Sequence, residues 1–421
     1  MPKIMKSRRR NKVKSSSSSS SSRNKHSEFK YLPPEIWTQI LLSLPAKTLL
    51  KFRCVSKYWC SIIDNPNFIN MHFKLCKINS GDNNKKLLVA LQSLGYLRDQ
   101  GCLFTVRNAE NLRYAGRIFR TSDSYRYHII GSCNGLLLVQ KIRPIDWHIE
   151  LRLWNPCIRK SLILPPCPLD NSPFGLEFRY LLGFAPDSHD YKVVAFAFDR
   201  TLGEENGNIF FAVYFLSNQQ WIVRNDPLNV NNVSILNCYD RRGLLHSLST
   251  TVFFRGAAYW LGQNDKERSG LSTHLGSFDF DKENITFLEL PFSLYETGSL
   301  RFLFLFLLGG SLALFSISEV TSSIWVLDQD NKKGPWTLWF SRQSSRDGYE
   351  LFEFYEYSIK NLFYCERDGG YFIYGKNTYN LASGQVEELK KSMRSYFQLE
   401  AYSENLVLSK AYGTRDLRIS P

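Results

Sequence analysis

The sequence predicts an α+β multidomain chain in which a short three-helix unit precedes an all-β, β-propeller-like domain of about six blades. Three observations predict it. Residues 31–75 place apolar side chains at helical spacing. From residue 85 onward, short aliphatic and aromatic runs alternate with Gly, Asn and Asp turns. Those runs recur with a period of about 50 residues. Aromatic residues make up 14% of the 421, which suits the pleated surface of sheets.

The N-terminal stretch is a separate case. Residues 1–30 hold ten Lys/Arg against one acid, Glu28, and Ser15 to Ser22 is an unbroken serine run. Such a segment buries too little apolar surface to offset its ordering entropy, so residues 1–29 are expected to be a disordered basic tail. Lys6 to Lys14 reads either as a nuclear import signal or as a solubilising tail. The remaining residues carry only 43 Lys/Arg against 38 Asp/Glu, too even a balance for a body-wide nucleic-acid surface. No signal-peptide core opens the chain, and its nine Cys show no C-x-x-C spacing. The expected location is the cytoplasm, the nucleus or both, with the cysteines reduced.

Residues 30–76 read as the helical domain. Pro33 and Pro34 suit a first turn, Glu35 favours the positive end of the helix dipole, and Ile36, Ile40, Leu41 and Leu44 continue the apolar stripe. Pro45 ends that helix and opens a second through Ala46–Phe52. Ser56 caps a third that carries Trp59, Ile62 and Ile63, and Asn65-Pro66 stops it. Three helices of this length make a core too small to stand comfortably alone, so part of the apolar surface is expected to need a partner.

Residues 77–125 read as a connection or a first blade, and 126–415 as the propeller-like domain. Gly-flanked runs begin at Gly131, Leu181, Phe253, Leu307 and Asn361, spaced 50, 72, 54 and 54 residues apart. Strand–turn–strand segments beginning at Leu153, Val213, Phe278, Ile324 and Tyr379 interleave with them. A sixth unit is expected from Leu87–Leu91, Leu103–Val106 and Glu404–Leu408, closing the ring across the termini and removing exposed strand edges. A β-sandwich is the alternative architecture. Phe302 to Phe315, 14 residues without a charge, is short of the ~20 a spanning helix needs and is expected to be two strands joined at Gly309-Gly310.

Enzyme signatures are missing: no H-E-x-x-H, no phosphate loop and no G-x-G-x-x-G opening a helix. The seven His are not at metal-ligand spacing and are expected at solvated loop or strand-end positions. Asp279, Asp281 and Glu283 read as a polar turn, or less simply as a cation site. Trp260, Trp325, Trp336 and Trp339 are expected to pack between blades. Neither a metal nor a cofactor is expected.

The motifs in 31–75 resemble an F-box: Leu32-Pro33, Ile36, Ile40-Leu41, Leu44-Pro45, Leu49-Leu50, Arg53-Cys54-Val55-Ser56-Lys57, Trp59 and Pro66-Asn67-Phe68. The repeats resemble the F-box-associated, kelch-like domain of plant proteins, through Cys133-Asn134-Gly135-Leu136-Leu137, Leu153-Trp154-Asn155-Pro156 and Gly256 to Trp260. The resemblance implies a receptor subunit of a Skp–cullin–F-box ubiquitin ligase that performs no bond chemistry. The helices would dock on a Skp-type adaptor, and through it on the cullin–RING scaffold. The β domain would hold a target protein near activated ubiquitin, which is catalysis by proximity. Leu32, Pro33, Ile36, Ile40, Leu44, Pro45, Leu49, Val55 and Trp59 match the adaptor-binding or fold-holding positions. Arg200–Asn208, Asn229–Arg242 and Gln263–Thr273 are the candidate target loops. No membrane and no specific nucleic acid are expected as partners. The alternatives are a propeller binding a non-protein ligand and a nucleic-acid-associated nuclear protein using the tail.

Overall fold

A computed structural model describes residues 32–79, 87–93, 102–108, 114–121, 125–143, 145, 148–171, 177–198, 209–228, 251–263, 272–291, 300–328, 335–344, 362–365, 370–374, 377–388, 397–409 and 415–416. The basic tail, the segments 200–208 and 229–242, and most of 263–273 lie outside the described residues.

The helical domain has four helices rather than three: α1 (Pro34–Leu42), α2 (Ala46–Phe52), α3 (Lys57–Ile63) and α4 (Pro66–Asn79). The first three begin as the sequence indicates. Pro34 occupies the first turn of α1 beside Glu35, and the Ser56 hydroxyl accepts the Trp59 N–H at 3.1 Å. Asn65-Pro66 does stop α3, but it also starts α4. Asn65 Oδ1 accepts the Asn67 N–H at 2.8 Å, and Pro66 stands where no backbone donor is needed. The same dipeptide therefore serves as a stop and a start.

His72 corrects a second expectation. It is buried on α4, not solvated, with its Nε2 2.8 Å from the Leu44 carbonyl at the end of α1. That bond ties the two helices that pack against each other.

The rest is six sheets. Five are built on consecutive four-stranded meanders, one of them with a fifth strand added at its edge, and in each the Gly-flanked run supplies the first hairpin and the strand–turn–strand segment the second. Blade 2, for example, is Arg126–Cys133, Leu136–Ile142, Ile149–Asn155 and Lys160–Ile163. Gly309-Gly310 turns between Leu300–Leu308 and Ser311–Ser318, and among the described residues no helix is long and apolar enough to cross a membrane.

Blade 1 is closed by the two ends of the chain. Its strands Leu87–Ser93, Cys102–Asn108 and Tyr114–Arg120 come from early in the sequence, and Phe397–Tyr402 pairs antiparallel with Leu87–Ser93. The closing strand was expected at Glu404–Leu408. Those residues instead form a buried loop, because Asn405 engages backbone groups that a strand would need for its ladder. A second, shorter tie joins Arg415–Asp416 to the outer edge of blade 2.

Among the described residues, the core clusters span seams between neighbouring parts. Phe104 and Trp154 meet between blades 1 and 2, and Phe196 and Phe278 between blades 3 and 4. Leu305 packs with Leu275 between blades 4 and 5, and Phe315 with Phe372 between blades 5 and 6. A sheet cannot cover its own two faces, so stacking is what buries them. At the seam of blades 3 and 4 the backbone approaches so closely that a Cβ on Gly183 would lie 2.0 Å from the Phe280 ring. Polar straps reinforce the same seams. Lys192, on blade 3, reaches the Phe280 carbonyl at 2.6 Å and Glu283 at 2.8 Å, and Arg224 pairs with the same carboxylate.

The expected inter-blade role holds for Trp260, which is fully buried, and for Trp336, which packs at the next seam and donates Nε1–H to the Glu289 carbonyl at 3.1 Å. It fails for Trp339, which is 56% exposed on the outermost strand of blade 5. An edge strand has no neighbour to cover its outer residues.

Substituting Gly183→Ala should destabilise the propeller by about 1–3 kcal/mol through overpacking against Phe280. Urea denaturation followed by tryptophan fluorescence would show it. An unchanged midpoint would mean that the seam is looser than the packing implies.

Candidate functional site

Apolar side chains left exposed on a small helical domain mark where it meets another molecule. Here they form a stripe. Ile36 and Ile40 lie one turn apart on one face of α1, Leu32 lies two residues before that helix begins, and together with Val55 they are between 38% and 62% exposed. Pro33 and Pro45 are also at the surface. These are six of the nine sequence-indicated positions: Leu32 and Pro33 lead into α1, Ile36 and Ile40 are on it, Pro45 opens α2, and Val55 is in the turn between α2 and α3.

The other three are placed differently. Leu49 is 0% exposed and sits in a core shared with blades 2 and 3. It holds the fold and offers nothing to a partner as the domain stands. Leu44 and Trp59 are half-buried against the same core. The Trp59 ring lies 5.2 Å from Trp37 and 5.1 Å from Phe52, so it braces α1, α2 and α3 and shows only part of its surface.

Sequence reasoning missed Tyr58, Met71 and Leu75, which are also exposed. Met71 and Leu75 lie one turn apart on α4, the helix that packs beside α1. The signal was their i, i+4 spacing, hidden by the expectation that helical structure ended at Pro66.

The opposite face of the helical domain is covered. Leu41, Ala46, Leu49, Ile63 and Phe68 are buried together with residues of blades 2 and 3 and with Leu406, Val407 and Leu408. Arg53 and Asp64 pair at 2.7 Å at the foot of this junction. That hydrogen-bonded pair raises the guanidinium pKa against the cost of burial. The propeller thus supplies part of the missing core, and the stripe on α1 remains unpartnered.

The junction also orients the propeller. Blades 2 and 3 reverse at short turns on one end, at Asn134-Gly135 and Asp187–His189, and the helices pack at that end. The segments 199–208 and 264–271 leave from the other end, at the pairs Phe198↔Ile209 and Gln263↔Ser272. Asn229 follows Leu228, which is also paired with Ile209 at that end.

Among the described residues, no group of three or more His, Cys, Asp or Glu is placed to hold a metal. Asp279, Asp281 and Glu283 are a turn: Asp279 Oδ1 accepts the N–H groups of Asp281 and Lys282, Asp281 accepts from Asp187, and Glu283 takes the Lys192 and Arg224 cations. Cys54, Cys60, Cys76, Cys102, Cys133, Cys157 and Cys167 are free of disulfides.

Comparison with known proteins agrees with this architecture. Residues 29–71 match the F-box domain, and residues 105–406 match the F-box associated beta propeller domain. An F-box protein of Arabidopsis thaliana is 25% identical over 356 residues, covering 81% of this chain and 84% of that one. An F-box/kelch-repeat protein of the same plant is 28% identical over 165 residues, 39% of this chain, and the match spans only 44% of that relative's length. Among solved structures, TolB of Acinetobacter baumannii reaches a TM-score of 0.39 at 10% identity over 79% of this chain and 72% of that chain, too slight a likeness to add to the family match.

The nine positions should separate by stability. Leu49→Ala should cost about 2–5 kcal/mol as a cavity in a closed core. Ile36→Ala and Val55→Ala should each stay within about 0.5 kcal/mol. Thermal unfolding of the three variants checks this, and equal losses would contradict the division into covered and open faces.

Proposed function

Because the chain belongs to the plant F-box proteins that carry an F-box-associated β-propeller domain, we propose that it is the substrate-recognition subunit of a Skp–cullin–F-box ubiquitin ligase. F-box domains generally bind Skp-type adaptors, and this architecture is typical of non-catalytic adaptor proteins. The observation that carries the proposal is the open apolar stripe of Leu32, Ile36 and Ile40 with Val55, on a domain whose other face the propeller already covers. An adaptor groove that takes an apolar helix face removes that stripe from water. Tyr58, Met71 and Leu75 extend the candidate interface, while Leu49 and Trp59 support it from behind.

The chain itself makes and breaks no bonds. Its work is to hold a target protein so that target lysines meet ubiquitin activated elsewhere in the complex, by way of the cullin–RING scaffold. The target sits at the propeller end away from the helices, where the strand pairs leading into 199–208 and 264–271 lie. Loops at that end change without disturbing the seams, so specificity and fold are separable. The free cysteines suit the cytoplasm, the nucleus or both.

The test is affinity for a purified Skp-type adaptor. Ile36→Asp with Val55→Asp places two charges on the stripe and should weaken binding at least a hundredfold, about 2.7 kcal/mol, with little change in melting temperature. Leu32→Ala with Pro33→Ala should act in the same direction. Undiminished binding by the charged variant would remove the stripe from the interface, and failure of the unmodified chain to bind any such adaptor would end the proposal.

A further inference from the structure

Between the helices and the propeller lies a cleft of about 390 Å³, a volume in the range of small-ligand sites. Five separate stretches line it: α4 and the turn before it, the first turn of blade 2, two turns of blade 3, and the loop that includes Val407, Leu408 and Ser409. Its walls include Ile69, Phe73, Phe184, Leu216 and Leu408, so most of what they present is apolar.

Two carboxylates reach it, and they differ in how their charge is met. Asp64 is paired with Arg53 at 2.7 Å. Asp190 is 8% exposed and forms no ion pair among the described residues, although the Lys192 charge acts on it through space. Its oxygens accept the Ser217 N–H at 3.0 Å and the Ser217 hydroxyl at 2.7 Å. The ammonium of the neighbouring Lys192 is hydrogen-bonded elsewhere, to the Phe280 carbonyl and Glu283. Burial raises the Asp190 carboxyl pKa, and burial together with the Asp190 charge pushes the Tyr214 hydroxyl up to about 12. No Lys or Arg lines the cleft. Burial favours the neutral form of such a carboxyl, and a cation brought against it would favour the charged one.

We infer that this cleft binds a small molecule with an apolar, ring-sized body and one protonated amine, the amine pairing with Asp190 and the body lying between Phe73 and Phe184. The inference does not rest on the ligase reading, because it concerns the seam and neither the α1 stripe nor the far end of the propeller. A ligand held there touches the helical domain and the propeller at once, so it favours their docked arrangement by its own binding free energy.

The test uses the full chain and two matched probes, phenethylamine and phenethyl alcohol, with binding followed by calorimetry and by saturation-transfer NMR. The amine should bind saturably and at least tenfold tighter than the alcohol. Asp190→Asn should erase that preference. Asn70→Trp, at a lining position on α4, should block both probes by filling the cleft, and it serves as the deciding variant if Asp190→Asn does not fold. Saturable binding of the amine that is lost in Asn70→Trp supports the site. No saturable binding of the amine, equal affinity for the two probes, an unchanged preference in Asp190→Asn, or undiminished binding by Asn70→Trp overturns it.

Discussion

The structure turns on a side-chain knot around Asn405. Its amide donates to the Asn134 carbonyl at 2.9 Å, and its own oxygen accepts the Val407 N–H at 3.0 Å. Asn155, fully buried on blade 2, donates to Asn405 and to the Val407 carbonyl at 2.7 Å while its oxygen accepts the Cys157 N–H at 3.0 Å. Beside them, Gly135 has a φ of +80°, and a Cβ there would meet the Ser403 carbonyl at 2.1 Å. A C-terminal loop is thereby bound to turns formed some 250 residues earlier. Buried groups so densely satisfied are costly to break, since each loss strands partners away from water.

Two consequences follow from that knot. It follows directly on Phe397–Tyr402, so it anchors the strand that completes blade 1 and removes an open sheet edge. It also presents Leu406, Val407 and Leu408 to the helices, which bury Leu49, Ile63 and Phe68 against them. Closing the propeller and seating the helical domain are thus one event. The separation of the proposed adaptor face from the proposed target end depends on this seating, because a loosely tethered helical domain would set no fixed distance between them. For a receptor acting by proximity, that distance is the functional quantity.

The same arrangement explains the division of the apolar surface on the helices. The sequence indicates that three short helices cannot close a core alone, and the structure shows how the shortfall is met. α4 and the propeller take one face, and the stripe on α1 keeps the other. Leu49 and Ile36 look equivalent as apolar helix residues, yet they end on opposite sides of this division.

Much of the fold was legible beforehand. The alternation of Gly-flanked runs with strand–turn–strand segments is the alternation of first and second hairpins in each blade, because turns and period-two burial are local properties. Helix starts at Pro34, Ala46 and Lys57 were likewise local, set by Pro and Ser. What escaped was decided at a distance. Asn405 could not be recognised as a plug, since its partners Asn134 and Asn155 are near it only after the ring closes. Nor could Leu49, His72 or Asp190 be sorted into core, tie and cleft wall, because burial belongs to the assembled seam. The sequence by itself determined most of the segments that become helices and blades, through patterns a few residues long, with α4 and the closing strand of blade 1 as the exceptions. The tertiary structure alone decided which apolar side chains stayed in water, because only long-range packing settles which surface covers which.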